Sequence, residues 1–369
     1  MQSLKRLNAD DEVAWYAVEG DHQGAVERFL VTTRPSRAIC NRPEILGMDF
    51  NLHLQEAIRL ALGRAPFRPL LAGTPEDRLC VVHFLRGGLN FELRRALWEA
   101  FGFNRHASAF MSSQRYREDG RWQVREDLYR KLQIPKDAVL VMGDVVATGA
   151  TLENGLQVVV DHLSASGSSI RALVCFTIGC HKAEKVLEVI DARMRRAFPS
   201  YERTVLTYLE GKFRLVDSRT PLRIALPGTD LVRWQALLAP EFERSQYEAP
   251  PWPLERCAVY DAGSRAFDIP AYTADVVRYW EEMARLARGG WTLAEALLER
   301  WPDGAPADPA AFREDRRARW PGVPLDIIEE ILARNLAFWR KDRSALTSDA
   351  LLAVCQERLS TLRTAGGLV

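Results

Sequence analysis

A polar turn follows a strand-like apolar run at residues 138–152, and its residue types suit the binding of a phosphate group. The segment reads AVLVMGDVVATGATL. Ala138 to Met142 has the length and composition of a strand that is buried on both faces. A hydroxyl-bearing turn, Thr148 to Thr151, is followed by apolar residues at helical spacing: Leu152, Leu156, Val159, Val160 and Leu163. A strand, a tight turn and a helix N-terminus direct backbone N–H groups and the positive end of a helix dipole at one place, which favours an anion.

This segment resembles the phosphoribosyl-pyrophosphate (PRPP) motif of type I phosphoribosyltransferases, in which apolar residues precede two acids, a short spacer and T-G-x-T/S. In that family the turn holds the 5′-phosphate and the acids contact the ribose hydroxyls. The resemblance implies that Asp144 faces the ribose and helps to hold Mg²⁺. It also implies substrate contacts along the strand end and turn: Asp144, Val145, Ala147, Thr148, Gly149, Ala150 and Thr151.

The segment departs from the family pattern at Gly143, which stands where the first acid is expected. Enzymes of the family that act on 6-oxopurines usually carry aspartate at position 147, whereas Ala147 is similar to pyrimidine and some other members. The ribose hydroxyls and the metal should therefore depend on Asp144 alone. Restoring the pattern with Gly143→Asp is expected to preserve or improve PRPP affinity. The alternative interpretation is an ordinary strand–turn–helix without a ligand.

A second segment, Leu79 to Leu85 (LCVVHFL), also has the composition of a buried strand. It ends in Arg86, Gly87 and Gly88, which resemble the family's pyrophosphate loop. The resemblance implies that the Arg86 side chain and the two glycine amides meet pyrophosphate. A simple turn that needs two glycines is the alternative, but two matches in the expected order favour the functional interpretation.

Between these segments, 112–124 is polar and has no consistent period. The family carries a mobile loop here that closes over PRPP, and such lids shield the chemistry from water. Arg115, Tyr116 and Arg117 are the candidates for contacting pyrophosphate, and Arg115 joins Asp144 and Arg86 as a predicted catalytic residue. A solvated hairpin tip between two strands is the alternative.

Composition excludes several other classes. The 369 residues include 50 Lys plus Arg and 49 Asp plus Glu, so no charge excess suggests a nucleic-acid or membrane partner. No apolar run is long enough to span a membrane, and the N-terminus lacks the apolar core of a signal peptide. The six cysteines form no C-x-x-C pair, which is typical of reduced cytoplasmic thiols.

The remaining pattern predicts three parts. Residues 1–49 are expected to be an irregular segment that could form a hood, with a helix beginning at Asp49. Residues 50–247 form the α/β part, including short strands at 203–209, 213–216 and 222–226. Asp230 could contact a substrate base or cap a helix that begins at Leu231.

Residues 248–253 (EAPPWP) have the composition of a linker, and helical patterns follow it in a C-terminal domain at 254–369. The predicted helices cover 273–287, 292–301, 309–319, 325–340 and 345–362. This part, which holds half of the tryptophans, is expected to complete the acceptor pocket.

Together these features predict an α/β fold with a doubly wound, mostly parallel sheet and a helical C-terminal domain. The expected function is Mg²⁺-dependent transfer of 5-phosphoribose from PRPP to a nucleobase or related heterocycle, with release of pyrophosphate. A homodimer is possible. Two alternatives remain open: a PRPP-sensing regulator without catalysis, which Gly143 favours, and a specialised biosynthetic enzyme that uses PRPP or a phosphoribosyl compound.

Overall fold

The computed structural model describes residues 2–20, 24–85, 87–118, 121–306, 308–340 and 345–367, with side chains for all of these except 113–118, 121–128 and 340. One mixed sheet runs through the protein. Its strands are β1 (Ser3–Ala9), β2 (Val13–Glu19), β3 (Glu27–Thr33), β4 (Leu79–Leu85), β5 (Ala107–Glu118), β6 (Arg121–Lys131), β7 (Ala138–Val146), β8 (Ile170–Cys180), β9 (Arg203–Leu215) and β10 (Leu231–Leu238).

The strand order is β1-β2-β3-β9-β8-β7-β4-β5-β6, and β10 pairs with β9. The central strands from β3 to β5 are parallel to their neighbours. Antiparallel pairs form both edges and the β9–β10 hairpin. β7 and β8 are almost entirely buried, which explains their continuous apolar sequences.

Helices connect the parallel strands and then form the C-terminal part. They are α1 (Arg34–Asn41), α2 (Gly47–Arg64), α3 (Arg68–Ala72), α4 (Leu93–Phe101), α5 (Ala150–Ala165), α6 (His181–Ala197), α7 (Pro240–Ser245), α8 (Pro251–Leu254), α9 (Ala262–Phe267), α10 (Ile269–Arg288), α11 (Leu293–Arg300), α12 (Pro309–Arg319), α13 (Leu325–Arg340) and α14 (Ser348–Ala365). α2 packs on α4, and α5 packs on α6. The mixed α/β class, the mostly parallel sheet and the helical C-terminal region are confirmed. The doubly wound arrangement stays a prediction.

The expectation of an irregular N-terminal segment was wrong, because β1 and β2 form a hairpin and β3 joins the parallel sheet beside β9. The Asp10 carboxylate accepts hydrogen bonds from the amides of Glu12 and Val13, both at 2.9 Å, and so fixes the turn between β1 and β2. β1 is an edge strand in which Lys5 is exposed and Arg6 is half-buried, so charged residues interrupt its apolar pattern.

The region from 203 to 238 also differs from the prediction. β9 is one strand of 13 residues instead of two short ones, and 222–226 is not a strand. The segment that begins at Leu231 is β10, not a helix. Its pairing with β9 is interrupted between Val232 and Leu237, where Gln235 has a positive φ of 53°.

Glu210 is a buried carboxyl within β9, and its backbone has a φ of 65°. It accepts hydrogen bonds from the Thr32 hydroxyl (2.6 Å), the Thr33 amide (2.9 Å) and the Ser36 hydroxyl. Burial nevertheless raises the pKa of Glu210 from 4.5 to about 7. The carboxyl therefore links β3, α1 and β9, and its contribution to the free energy of unfolding depends on pH.

We expect this raised pKa to appear in the pH dependence of stability. Below the unfolded-state pKa both states hold the proton. As pH rises through 7 the folded state must give it up, so on the order of 2–3 kcal/mol of unfolding free energy should be lost. Glu210→Gln, which cannot titrate, should lack this decline in urea unfolding measured between pH 5 and 8. Identical pH profiles for the two proteins would contradict the prediction.

The C-terminal helices are confirmed to within a few residues, and they pack into the same apolar core as the sheet. The predicted linker is partly helical as α8. Trp280, Trp291, Trp301 and Trp320 are buried, so they serve packing. All six cysteines are buried and free. Within the described residues, no helix is both long enough and apolar enough to cross a membrane.

Candidate functional site

The two predicted phosphate-binding segments meet at the carboxyl ends of β4 and β7. These strands are parallel neighbours, paired from Leu79 with Val139 to Val82 with Met142. A Cβ atom added at Gly87 would lie 2.8 Å from Asp144 Oδ1. The turn after β4 therefore touches the acid at the end of β7.

The second glycine of this turn also packs against β7. A Cβ atom at Gly88 would lie 3.2 Å from the carbonyl oxygen of Gly143. A short 3₁₀ helix, Gly87–Phe91, begins here and leads towards α4. A side chain at Gly87 would displace the Asp144 carboxylate, and one at Gly88 would press against the backbone of β7. Arg86, predicted to contact pyrophosphate, lies outside the described residues.

Asp144 is nearly buried, with 9% of its surface exposed. Its Oδ1 atom accepts a hydrogen bond from the Val145 amide at 2.9 Å, which fixes the carboxylate beside the Gly87 turn. The carboxylate therefore has a defined orientation at the carboxyl ends of the parallel strands, where ligands of such sheets bind.

The turn after β7 forms the N-terminus of α5. Gly149 is the N-cap residue, with φ 84° and ψ −5°, a left-handed conformation that glycine adopts easily. Thr148 Oγ1 accepts a hydrogen bond from the Ala150 amide at 3.4 Å. The first helical bond then runs from the Glu153 amide to the Gly149 carbonyl, at 2.8 Å. The amides of Thr151 and Leu152 lie in the first turn of this helix, where N–H groups have no carbonyl partner within the helix and can bind an anion or water.

The end of β8 supports the same turn. Cys180 donates a hydrogen bond from Sγ to the Ala147 carbonyl at 3.1 Å. A Cβ atom at Gly149 would lie 3.1 Å from Val186 in α6. The turn is therefore packed against α6 and β8 on one side.

Phe91 explains the departure at Gly143. A Cβ atom at Gly143 would lie 2.4 Å from Phe91 Cγ and 2.5 Å from Cδ1. The Phe91 ring is fully buried and cannot yield towards solvent. The ring occupies the space that the first acid would need, so the structure favours a disturbed site in Gly143→Asp over the preserved or improved PRPP affinity that the motif suggests.

The predicted closing loop belongs to a hairpin formed by β5 and β6. The last pair between β4 and β5 is Leu85 with Ser112. β5 continues to Glu118, so the hairpin extends about 20 Å past the end of β4. In its backbone register Arg115 pairs with Val124 and Tyr116 with Gln123. The side chains of Arg115 and Tyr116 lie outside the described part, so their roles stay predictions.

Asp230 has a structural environment that the sequence did not indicate. It is 1% exposed, and its carboxylate accepts hydrogen bonds from Arg256 Nε (3.1 Å) and the Leu226 amide (2.7 Å). It caps no helix, because β10 follows it. With its oxygens committed to these partners, Asp230 is not retained as a base-contacting residue.

The donor set suits a metal that is shared with a substrate. Among the described residues, no group of three or more His, Cys, Asp or Glu side chains is placed to hold a metal ion. Mg²⁺ commonly binds proteins through one or two carboxylates together with substrate phosphates and water. Asp144 alone is compatible with that mode.

Sequence reasoning missed Phe91 and the polar residues at the ends of the next strands, His181, Lys212 and Arg214. These three lie at the carboxyl ends of β8 and β9. In the sheet, β8 is the neighbour of β7, which the turn at 148–151 follows, and β9 comes next. No motif marks them. The general position of ligand sites in parallel sheets was the available signal.

No family model matches this sequence, and no curated protein matches it. Solved structures with partial similarity include a protein from Aquifex aeolicus, with TM-score 0.34, 16% identity and coverage of 48% of this chain and 84% of that one. A hypoxanthine-guanine phosphoribosyltransferase from Bacillus anthracis has TM-score 0.24, 18% identity and coverage of 35% and 67%. A purine phosphoribosyltransferase from Pyrococcus horikoshii has TM-score 0.22, 16% identity and coverage of 42% and 81%. These scores establish no family, so the function of the site depends on its own geometry.

Proposed function

We propose that this protein binds PRPP and transfers its 5-phosphoribosyl group to a nitrogenous heterocycle, with release of pyrophosphate. The observation that carries the proposal is the contact between the Gly87 turn and Asp144 at the ends of neighbouring parallel strands. This contact supports the proposal because it brings the turn after β4 next to the carboxylate that precedes the turn at 148–151. A phosphorylated sugar that carries a pyrophosphate needs such a pair of anion sites with a hydroxyl-binding acid between them.

Each part of the site has a role in the reaction. The bond between the anomeric carbon and the pyrophosphate oxygen breaks, and a bond from that carbon to an acceptor nitrogen forms. The α5 N-terminus at 148–151 anchors the 5′-phosphate, and Asp144 orients the ribose hydroxyls. The amides of Gly87 and Gly88 stabilise the charge that develops on pyrophosphate.

Asp144 is the residue that would hold Mg²⁺ together with substrate oxygens. When it is bound, the metal would neutralise charge on the leaving pyrophosphate. The protein itself supplies the positioning, since the Val145 amide fixes the Asp144 carboxylate.

The proposal is tested with the full chain and Mg²⁺-PRPP. A ligand that binds only the folded state raises the melting temperature by mass action. We expect a thermal shift with PRPP and pyrophosphate release with a panel of heterocyclic acceptors. If neither PRPP nor ribose 5-phosphate at millimolar concentration shifts the melting temperature, the proposal is overturned.

Asp144→Asn should reduce kcat/KM for PRPP by about ten- to a hundredfold, because hydrogen bonds to a charged group contribute roughly 1.5–3 kcal/mol. Asp161→Asn, at an exposed position of α5, is the matched control and should retain activity. Steady-state pyrophosphate release measures both variants. Normal turnover by Asp144→Asn would exclude Asp144 as the ribose ligand.

The same measurements distinguish the proposed enzyme from a PRPP-sensing regulator without catalysis. The regulator is the alternative that Gly143 favours, because the first acid of the motif is missing there. A regulator would show the PRPP thermal shift without pyrophosphate release for any acceptor in the panel. Binding with turnover identifies the enzyme.

A further inference from the structure

A cavity of about 420 Å³ lies at the carboxyl ends of β8 and β9. The first residue of α6, His181, forms one side, and Lys212 and Arg214 at the end of β9 form another. The interrupted part of β10 contributes Gln235. The C-terminal region contributes two further side chains to the wall, Asp303 and Arg319, and the cavity is open to solvent.

The cavity adjoins the phosphate turn. Cys180, which directly precedes His181, donates its hydrogen bond to the Ala147 carbonyl. A Cβ atom at Gly149 would lie 3.7 Å from the Lys182 carbonyl oxygen. One wall of the cavity is therefore continuous with the turn proposed to hold the 5′-phosphate.

Two of the three cations in the cavity are paired with neighbouring carboxylates. Lys212, whose side chain is 10% exposed, lies 2.7 Å from the buried Glu184 carboxylate, which also lies 3.8 Å from Arg28. Arg319 lies 2.9 Å from the Asp315 carboxylate. These ion pairs hold the two side chains in place at the wall of the cavity.

Arg214 differs from these two cations. Its guanidinium donates to the neutral side-chain carbonyl of Gln235 and lies 4.1 Å from the centroid of the Trp234 ring. Burial lowers the pKa of His181, and Lys182 lowers it further, so the imidazole is neutral at physiological pH.

The Asp303 carboxylate also lines the cavity; it accepts a hydrogen bond from the Gln235 amide at 2.7 Å and lies 3.8 Å from Arg319. Among the described residues Arg214 forms no ion pair within 4 Å, so it is the cation of this cavity that can pair with a ligand.

We infer that this cavity holds the acceptor, and that the acceptor is a small planar heterocycle with a carboxylate that pairs with Arg214. The inference rests on the proposed function. The guanidinium fork matches a carboxylate in two parallel hydrogen bonds. A volume of about 420 Å³ lies at the lower end of the range for small-molecule sites, which suits such a compound.

The test compares two probes of similar size and shape, imidazole-4-carboxylate and imidazole-4-carboxamide; the second replaces the charged carboxylate with a neutral amide. Calorimetric titration of the full chain should show about tenfold tighter binding of the carboxylate, since one charge-assisted contact distinguishes the probes. Arg214→Gln should abolish this preference, whereas Arg214→Lys should keep part of it. The control, Arg196→Gln, removes an exposed arginine of α6 outside the cavity and should leave the preference unchanged.

The preference should also persist from about pH 6.5 to 8.5, because arginine keeps its charge over this range. A preference that disappears as pH rises would assign it to a titrating group such as His181 and overturn the inference. Equal affinity for the two probes, no binding of either, or a preference that survives Arg214→Gln would overturn it as well.

The PRPP thermal shift of each variant separates this inference from the proposed function. A variant that keeps the PRPP shift and loses the carboxylate preference is folded and supports the assignment of the cavity. If the wild-type protein binds PRPP but shows no preference for the carboxylate probe, the proposed function stands and the assignment of the cavity is overturned. Carboxylate binding without any PRPP shift removes the proposed function, and the acceptor assignment fails with it.

Discussion

Gly143→Asp should strongly destabilise the protein and abolish PRPP binding, although it restores an acid that the motif predicts. The new Cβ atom would lie 2.4 Å from Phe91 Cγ, and the carboxylate would enter a region where Phe91 is fully buried. Overpacking typically costs 1–3 kcal/mol, and burial of an unpaired charge adds to this. We therefore expect a loss of at least about 3 kcal/mol in urea unfolding.

A set of alanine variants isolates the steric part of this effect. Gly143→Ala should cost about 2 kcal/mol through the same contact with Phe91. Combining it with Phe91→Ala should cost less than the sum of the two single variants, because the residues share one space. Gly63→Ala is the control: a Cβ atom there meets nothing within 4 Å, so this helical position should be neutral or slightly stabilised. Additive effects of Gly143→Ala and Phe91→Ala would contradict the explanation.

Arg265→Met is expected to have the second large effect, because this side chain joins the C-terminal helices to the N-terminal segment. Arg265 is 1% exposed and donates hydrogen bonds to the carbonyls of Ile45 (2.8 Å), Ile39 (2.9 Å) and Arg42 (2.6 Å). Methionine fills similar space but leaves these carbonyls without their donor. Unsatisfied buried groups cost about 1–3 kcal/mol each, so the variant should lose at least about 3 kcal/mol.

Urea unfolding measures this loss, with Arg285→Met as the control. Arg285 is exposed on α10 and pairs with Glu282 three residues earlier, a surface contact that contributes at most about 0.5 kcal/mol. Equal stability of the two variants would show that the Arg265 contacts do not hold the two regions together. A chain cut after Glu248 would lose Arg265 entirely, so we expect it not to fold.

The sequence predicts features that depend on local pattern. The apolar runs of β4, β7 and β8 are long enough to identify buried strands, and their turns carry distinctive residues. The C-terminal helices follow from apolar spacing and from caps such as Thr292, whose hydroxyl and Glu295 form a capping box. The meeting of the two turns follows from parallel strand order.

Features that depend on distant partners could not be predicted in this way. β10 carries a sequence that suits a helix, and only its pairing with β9 makes it a strand. In the sequence, Asp230 has the position of a helix cap, and its hydrogen bond from Arg256 is seen only in the folded structure. Phe91 looks like an ordinary apolar residue, and only the crossing of its 3₁₀ helix over β7 shows why residue 143 must be glycine.

The pairing of β3 with β9 has a consequence for synthesis on the ribosome. Glu27 of β3 lies beside Val205 of β9, so β3 is made long before its parallel partner exists. At translation rates of about 5–20 residues per second, β3 waits roughly 10–40 seconds for β9 to be made. Arg358 lies 314 residues after Glu44, to which it donates a hydrogen bond at 3.0 Å. The nascent N-terminal strands therefore spend this time with the inner edge of β3 unpaired, a state in which strand edges can pair with other chains.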